Sequence, residues 1–241
     1  MAKSKILWTE DVWNPITGCT KLSAGCANCY AYGMTLRLAG NPKTTKYRNG
    51  WKVTPHPECL SIPLDKEKPT VYFVNSMSDV FHKDVPEKFI RQIFEVMVEA
   101  KHHTFQVLTK RSERLRELAP TLPWPDNVYM GVTVENSDYY GRIADLIATP
   151  AKVKFLSVEP LLSAVPDIPL KGIDWVIVAG ESGHKARPME AQWVRDVRDK
   201  CVRMKIPFFF KQWGGRGKLN KERGRVLDGR TWEQKPMTTG K

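Results

Sequence analysis

The chain has 241 residues, 41% of them hydrophobic, enough for one large globular domain or two small ones with a core that needs no disulfides. No apolar run approaches the roughly 20 residues that a membrane helix needs, and no apolar stretch follows the N-terminal lysines. The expectation is therefore a cytoplasmic protein in a reducing compartment, with no membrane partner. Lys and Arg outnumber Asp and Glu by 38 to 26, a formal charge of +12, and a chain this basic usually meets something acidic, most often nucleic acid.

Strand-like and helix-like segments alternate from Val71 onward. Val71–Met77 is a run of strand formers. Pro86–Ala100 carries Phe89, Ile93 and Met97 at helical spacing, with Ile90 and Phe94 beside them. Thr104–Thr109 predicts a strand and Ser112–Leu118 a short charged helix, before the Pro-rich stretch 120–125. Val128–Val134 is the next strand, and Ser137 is placed to cap a helix reaching about Ile147. Val153–Val158 and the nearly all-apolar Trp175–Ala179 follow as strands, the second with the composition of one covered on both faces. A helix over Glu190–Lys205 and a strand over Pro207–Trp213 complete the series.

Six strands from Val71, with one more expected before Cys19, predict an α/β protein with a mostly parallel sheet and right-handed crossovers. The glycine fingerprint of a dinucleotide fold is missing, which favours a partial or complete (β/α) barrel over a doubly wound sheet. Residues 1–213 are read as that barrel with an N-terminal cysteine loop. Residues 214–241 are read as a basic C-terminal tail docking on it through Val226, Leu227 and Trp232. Arg216, Lys218, Lys221, Arg223, Arg225 and Arg230 would form a basic strip there, flanked by Trp213 and Trp232, of a kind that suits single-stranded or flipped-out nucleic acid.

Cys19, Cys26 and Cys29 lie close together, the last two as Cys-x-x-Cys, with Gly18 and Gly25 each preceding a cysteine. Glycines there permit the tight turns that aim several sulfurs inward. Three thiolates suit an iron–sulfur cluster with one open iron, whereas a structural zinc needs a fourth ligand, which Cys59 or His56 could supply. The predicted strands also end repeatedly in polar residues, and in an α/β barrel those ends form the active-site face. They are Ser76, Ser78 and Asp79; Lys110 and Arg111; Glu135 and Asn136; Glu159; Glu181; and Lys211. Gly180-Glu-Ser-Gly183, with Lys185 and Arg187 nearby, has the form of an anion-cradling turn.

Several stretches carry a resemblance: Val12-Trp-Asn-Pro-Ile-Thr-Gly-Cys19, Gly25-Cys-Ala-Asn-Cys-Tyr-Ala31, Met77-Ser-Asp-Val-Phe-His82 and Gly131-Val-Thr-Val-Glu-Asn136. Ser157-Val-Glu-Pro-Leu161, Phe210-Lys-Gln-Trp-Gly214 and Arg225-Val-Leu-Asp-Gly-Arg-Thr-Trp232 continue it. Together the chain resembles the bacteriophage-associated three-cysteine family of radical-SAM-like proteins. The resemblance implies a partial (β/α) barrel of the radical-SAM type with a [4Fe–4S] cluster on Cys19, Cys26 and Cys29. It also implies S-adenosyl-L-methionine as cofactor, a 5′-deoxyadenosyl radical, and a reductant protein such as flavodoxin or ferredoxin. Ser76, Ser78 and Asp79 would meet the methionyl amino group, Glu135 and Asn136 the ribose, and Lys110 or Arg111 a carboxylate or phosphate. Glu159 and Glu181 would join them as cofactor contacts. The usual spacing has three residues between the first two cysteines and an aromatic residue before the last; here there are six, and Asn28.

The expected function is radical modification, rearrangement or repair of a nucleic-acid base or nucleotide. Two competing expectations are a zinc-stabilised nucleic-acid binder without catalysis, and a hydrolase or nuclease working through Asp79, Glu135, Glu159 and Glu181.

Overall fold

The computed structural model describes residues 6–215 and 224–236. Strand β1 (Asp11–Trp13) precedes a two-residue β2 (Ile16–Thr17), the cysteine loop and helix α1 (Tyr30–Ala39). A short β3 (Thr54–Pro55) pairs antiparallel with β2. The main series follows: β4 (Val71–Val74), α2 (Glu87–Glu99), β5 (Thr104–Thr109), α3 (Ser112–Leu118), β6 (Val128–Thr133), α4 (Gly141–Ile147) and β7 (Val153–Val158). Strand β8 (Trp175–Ala179), α5 (Ala191–Arg203) and β9 (Phe208–Gln212) complete it.

The seven-stranded sheet has the order β1-β4-β5-β6-β7-β8-β9, and every neighbouring pair is parallel. The order never reverses, as it would in a doubly wound sheet. Strands taken in chain order make a wall that curls in one sense, and β1 does not pair with β9. The result is a half-barrel, as the strand–helix alternation predicts.

Alternation along each strand divides two cores. Tyr72, Val74, Phe105, Val107, Met130, Val132, Leu156, Val176, Phe208 and Phe210 face the helices and meet residues such as Ile93, Phe94, Ile143 and Val197. The opposite parity, Phe73, Tyr129, Phe155, Trp175, Ile177 and Phe209, fills the concave side together with Trp8. Trp8 lies edge-on to Phe73 (4.6 Å between centroids) and to Trp175 (6.2 Å), plugging the floor of the half-barrel. Each of these fully buried large apolar side chains stabilises the fold by about 1.5–3 kcal/mol.

Small differences from the sequence expectation have local causes. Strand β4 stops at Val74 because Asn75 takes a left-handed conformation (φ 60°). Ser137 is the first residue of a 3₁₀ turn, not a helix cap, and no side-chain cap bond forms there. Of the expected tail, residues 216–223 and 237–241 lie outside the described residues. Residues 224–236 form a small hairpin, β10 (Val226–Leu227) and β11 (Arg230–Thr231), followed by a stretch that runs along the edge of β9. There the Phe210 N–H donates to the Trp232 carbonyl (2.9 Å), and the Gln234 N–H to that of Phe208 (3.2 Å). Among the described residues no helix is long and apolar enough to cross a membrane.

Gly131, in mid-β6, lies beneath the Phe155 ring, and a Cβ there would come within 2.5 Å of it. Gly131→Ala is expected to destabilise the protein by about 1–3 kcal/mol through overpacking. Adding Phe155→Leu should restore part of that loss. Urea unfolding of the two single variants and the double variant measures the coupling.

Candidate functional site

The C-terminal ends of the parallel strands share one rim, and the cysteine loop crosses it. Inward parity places Lys110 after β5, Glu135 after β6 and Glu159 after β7 on the concave side. Lys211, in β9, pairs with Glu159 at 2.5 Å.

Glu135 has no exposed side-chain surface. Its Oε1 accepts from Lys110 Nζ (2.9 Å) and from the Ser23 hydroxyl of the cysteine loop, and its Oε2 from Arg142 Nη1 (2.8 Å). Burial alone would raise its pKa, but the Lys110 and Arg142 cations outweigh that and hold it below the ordinary 4.5. Arg142 also donates to the Thr133 carbonyl (2.8 Å) and lies over the Tyr139 ring (4.1 Å), so it too is satisfied. Gly25 passes directly over this carboxylate, where a Cβ would meet Oε1 at 2.5 Å.

A second fastening lies after β8. Glu181 accepts from Asn28 Nδ2 (3.1 Å), from the Arg187 N–H (3.0 Å), and from Arg187 Nε and Nη2 (2.9 and 2.5 Å). Its burial penalty is outweighed by Arg187 and Asn28, which hold its carboxyl below the ordinary range. Arg187 also reaches the Ala24 carbonyl (3.0 Å). A third fastening joins Thr20 to Arg111 Nη2 (2.9 Å) and to His82 Nε2 (2.8 Å). His82 Nδ1 accepts the Asp84 N–H (3.1 Å), so its proton is on Nε2, and burial followed by the Arg111 charge pushes its pKa down toward the neutral form. Lastly, Gly18 pairs with Ser78 in an isolated parallel bridge, and the Ser78 hydroxyl donates to the Ile16 carbonyl (2.9 Å).

Several carboxylates that the sequence nominates as cofactor contacts thus have their oxygens occupied by the chain's own donors. Asp79 accepts from the Thr109 hydroxyl (2.7 Å), the Phe81 N–H (3.0 Å) and the Lys110 N–H (3.1 Å), tying the end of β4 to the end of β5. Glu135 and Glu181 hold the cysteine loop, and Lys110 is paired with Glu135. Ser76 donates to Asn14 Oδ1 (3.2 Å). The glycine turn does not present a free cradle, because its Gly180 and Gly183 N–H groups donate to the carbonyls of Gln212 and Gly215. Gly180 and Gly214 let two backbones cross there, since a Cβ on Gly180 would stand 2.1 Å from the Trp213 carbonyl oxygen. Thr20, Ser23, Asn28 and Arg142 are site residues that sequence reasoning missed. The first three act through contacts remote along the chain, whereas Arg142 reaches Glu135 from seven positions away.

Three buried polar atoms at this rim have no partner: Asn75 Nδ2, Arg111 Nε and Asn136 Oδ1. The first is a neutral donor at the end of β4, the second a cationic donor beside Cys19, and the third a neutral acceptor next to Glu135.

Cys19, Cys26 and Cys29 are free, half-buried thiols on one loop. Burial and the Asp79 charge push the Cys19 thiol up to about 11. Burial also acts to raise Cys26, but hydrogen bonds from the Leu22 and Ser23 backbone, the Ser23 hydroxyl and the Lys110 charge leave it lowered. Three soft donors at an open rim fit, by their chemistry, a cluster that keeps one iron for an external ligand. Among the described residues no three His, Cys, Asp or Glu side chains are gathered to grip a metal ion unaided. The fourth ligands suggested for zinc are engaged elsewhere. His56 Nε2 meets the Thr17 hydroxyl (2.8 Å) and its Nδ1 meets Glu58 (3.1 Å), while Cys59 Sγ takes Lys46 Nζ (3.1 Å).

A seven-stranded parallel half-barrel with its loop drawn over the strand ends is a partial (β/α) barrel of the radical-SAM type. Its likeness among solved structures is to a cysteine-to-serine mutant of spore photoproduct lyase, with a TM-score of 0.53 over 89% of this chain and 78% of that one. The two share 13% sequence identity, so the likeness speaks for the fold. The chain itself belongs to the family described as protein of unknown function, DUF5131, which it matches over residues 3–236. No curated protein matches it.

Glu135→Gln removes a charge that two cations face in a buried site, and is expected to cost about 3–5 kcal/mol in urea unfolding. It should also speed alkylation of Cys26, because a neutral amide oxygen is a weaker acceptor for the Ser23 hydroxyl than the carboxylate and holds the loop less firmly. Both Glu135 and Glu181 have depressed folded-state pKa values, so their contribution is full above pH 4.5 and is lost as pH falls through the lower folded values. The acid limb of a stability–pH curve should therefore flatten in Glu135→Gln.

Proposed function

We propose that this protein is a radical S-adenosylmethionine enzyme acting on a nucleic-acid base or nucleotide. The observation that carries the reading is the three-thiol loop fastened across the C-terminal rim of a parallel half-barrel. The fold shared with spore photoproduct lyase, a radical-SAM DNA repair enzyme, supports it, as does the charge of +12. The resemblance to the bacteriophage-associated three-cysteine family points the same way.

In this reading Cys19, Cys26 and Cys29 hold the [4Fe–4S] cluster. The chemistry supplied at the rim would be one-electron cleavage of the sulfonium, giving a 5′-deoxyadenosyl radical that takes hydrogen from the substrate. The chain's own residues bind and orient. Arg111 Nε would meet the methionyl carboxylate through a charge-assisted bond, which gains from burial. Asn136 Oδ1 would accept from a ribose hydroxyl. The fastened carboxylates prevent the loop from swinging, and Trp8, Phe155 and Trp175 keep water from the floor beneath the reacting groups. A flavodoxin- or ferredoxin-type protein delivers the electron.

Anaerobic reconstitution should load about four irons and four sulfides per chain, and Cys26→Ala should abolish uptake. With dithionite, the loaded protein should convert S-adenosylmethionine to 5′-deoxyadenosine. Asn136→Ala should weaken S-adenosylmethionine binding about tenfold while leaving iron content unchanged, consistent with loss of one buried hydrogen bond. Stoichiometric zinc without cluster uptake would overturn the reading and favour the zinc-stabilised binder.

A further inference from the structure

From Val12 to Pro57 the chain contains no aspartate or glutamate, yet Lys21, Arg37, Lys43, Lys46, Arg48 and Lys52 all fall within it. This stretch includes the cysteine loop and everything that connects it to β3. It is joined to the rim: α1 begins one residue beyond Cys29, and Gly18 lies so close to Lys52 that a Cβ would come within 2.3 Å of the Lys52 carbonyl oxygen.

Among the described residues, only Lys21 and Lys46 of these cations have side-chain contacts. Lys21 caps the Ala27 carbonyl (3.2 Å), and Lys46 turns inward to the Asn14 carbonyl (2.5 Å) and Cys59. Arg37, Lys43, Arg48 and Lys52 are exposed, and among the described residues none of their side chains has a hydrogen bond or ion pair. A cleft of about 400 Å³ opens beside Arg48, lined also by Thr45, Lys46, Asn49, Thr54, His56 and Glu58. His56 is held toward its neutral form by burial first and by the Lys46 charge second, so it adds a polar wall without adding charge. Beside the segment's cations, exposed Tyr32 meets Trp51 edge-on, with centroids 5.5 Å apart.

The tail offers less. Arg216, Lys218, Lys221 and Arg223 lie outside the described residues. Arg225 pairs with Glu233 (2.6 Å), and Arg230 lies over the Trp232 ring (3.5 Å). Trp213 and Trp232 pack edge-to-face against Phe210 and Phe208 and donate to the Val226 and Leu227 carbonyls. The described aromatic and basic groups of the tail hold the tail in place.

We propose that residues 30–55 are the landing surface for a single-stranded nucleic acid, with phosphates on Arg37, Lys43, Arg48 and Lys52 and a base stacked at Tyr32 and Trp51. A run of cations with no internal anion matches a polyphosphate and gains from counterion release. Rings at its edge stack on any unpaired base, which a duplex does not expose. As a statement about the substrate, the proposal rests on the radical-enzyme reading; as a statement about binding, it rests on charge and rings alone.

The test uses the full chain and a short fluorescein-labelled single-stranded DNA of mixed sequence, followed by anisotropy across a salt series. Combining Arg37→Gln, Lys43→Gln, Arg48→Gln and Lys52→Gln should weaken binding and reduce the slope of log K against log salt by about 3. Tyr32→Ala should weaken binding about tenfold, and Tyr32→Phe should restore it, because stacking needs the ring and not the hydroxyl. Lys88→Gln with Arg203→Gln, on exposed positions of α2 and α5, should change neither quantity. An unchanged slope in the fourfold variant would overturn the proposal. So would a loss seen only when Arg216, Lys218, Lys221 and Arg223 are changed to Gln, or tighter binding to anionic phospholipid vesicles than to DNA. Formation of 5′-deoxyadenosine without DNA reads the radical chemistry separately, so either idea can fail while the other stands.

Discussion

A carboxylate without solvent contact, Glu135, governs the arrangement of the rim. An isolated buried anion would cost many kcal/mol, so it persists only with Arg142 and Lys110 beside it. Those two cations are themselves positioned by separate elements, α4 and the end of β5. The remaining hydrogen-bonding capacity of the anion goes to Ser23. A loop of glycines, small residues and cysteines has little core of its own, and this contact gives it a fixed height above the sheet. Glu181 and Arg187 repeat the device two strands away, and Thr20, held by His82 and Arg111, closes the near side.

The strand order explains why such fastenings are available. Parallel strands in chain order bring all their C-terminal ends to one edge of the wall, and alternation turns every second residue there toward the hollow. The lower positions on that face are aromatic and close the floor, while the upper ones are charged. Two zones of one surface therefore differ in polarity over only a few residues of strand. The loop rests on the polar zone, and the aromatic zone beneath keeps water out.

Much of this architecture was legible in the chain itself. The strand–helix alternation, the apolar stripe of α2 and the absent dinucleotide glycines all point to a partial barrel, and each element expected from Val71 to Trp213 is present. The functions of the polar strand ends were less legible. Ser23 and Glu135 are 112 positions apart, and Asn28 and Glu181 are 153 apart, so nothing local marks them as partners. Asp79 and Glu135 have the composition of a ligand-binding set, and only their bonding partners reveal that they hold the scaffold. The β2–β3 pair is two residues long, below the length at which alternation has meaning. Trp8 sits in a segment too short to show a period, yet it closes the floor.

The segment around Glu233 and Gln234, lying along β9, has a bearing on solubility. A half-barrel, unlike a closed one, leaves two strands with unpaired backbone donors and acceptors, and such edges invite pairing with another molecule. At the β1 end the exposure is small, because that strand has three residues. At the other end β9 is longer and rich in phenylalanine, a combination that favours intermolecular association, and the segment after β11 occupies its free carbonyl and amide groups. A stretch that adds no strand to the parallel sheet thus acts as its selvage, and the barrel can remain open to a large guest without becoming a template for its own polymerisation.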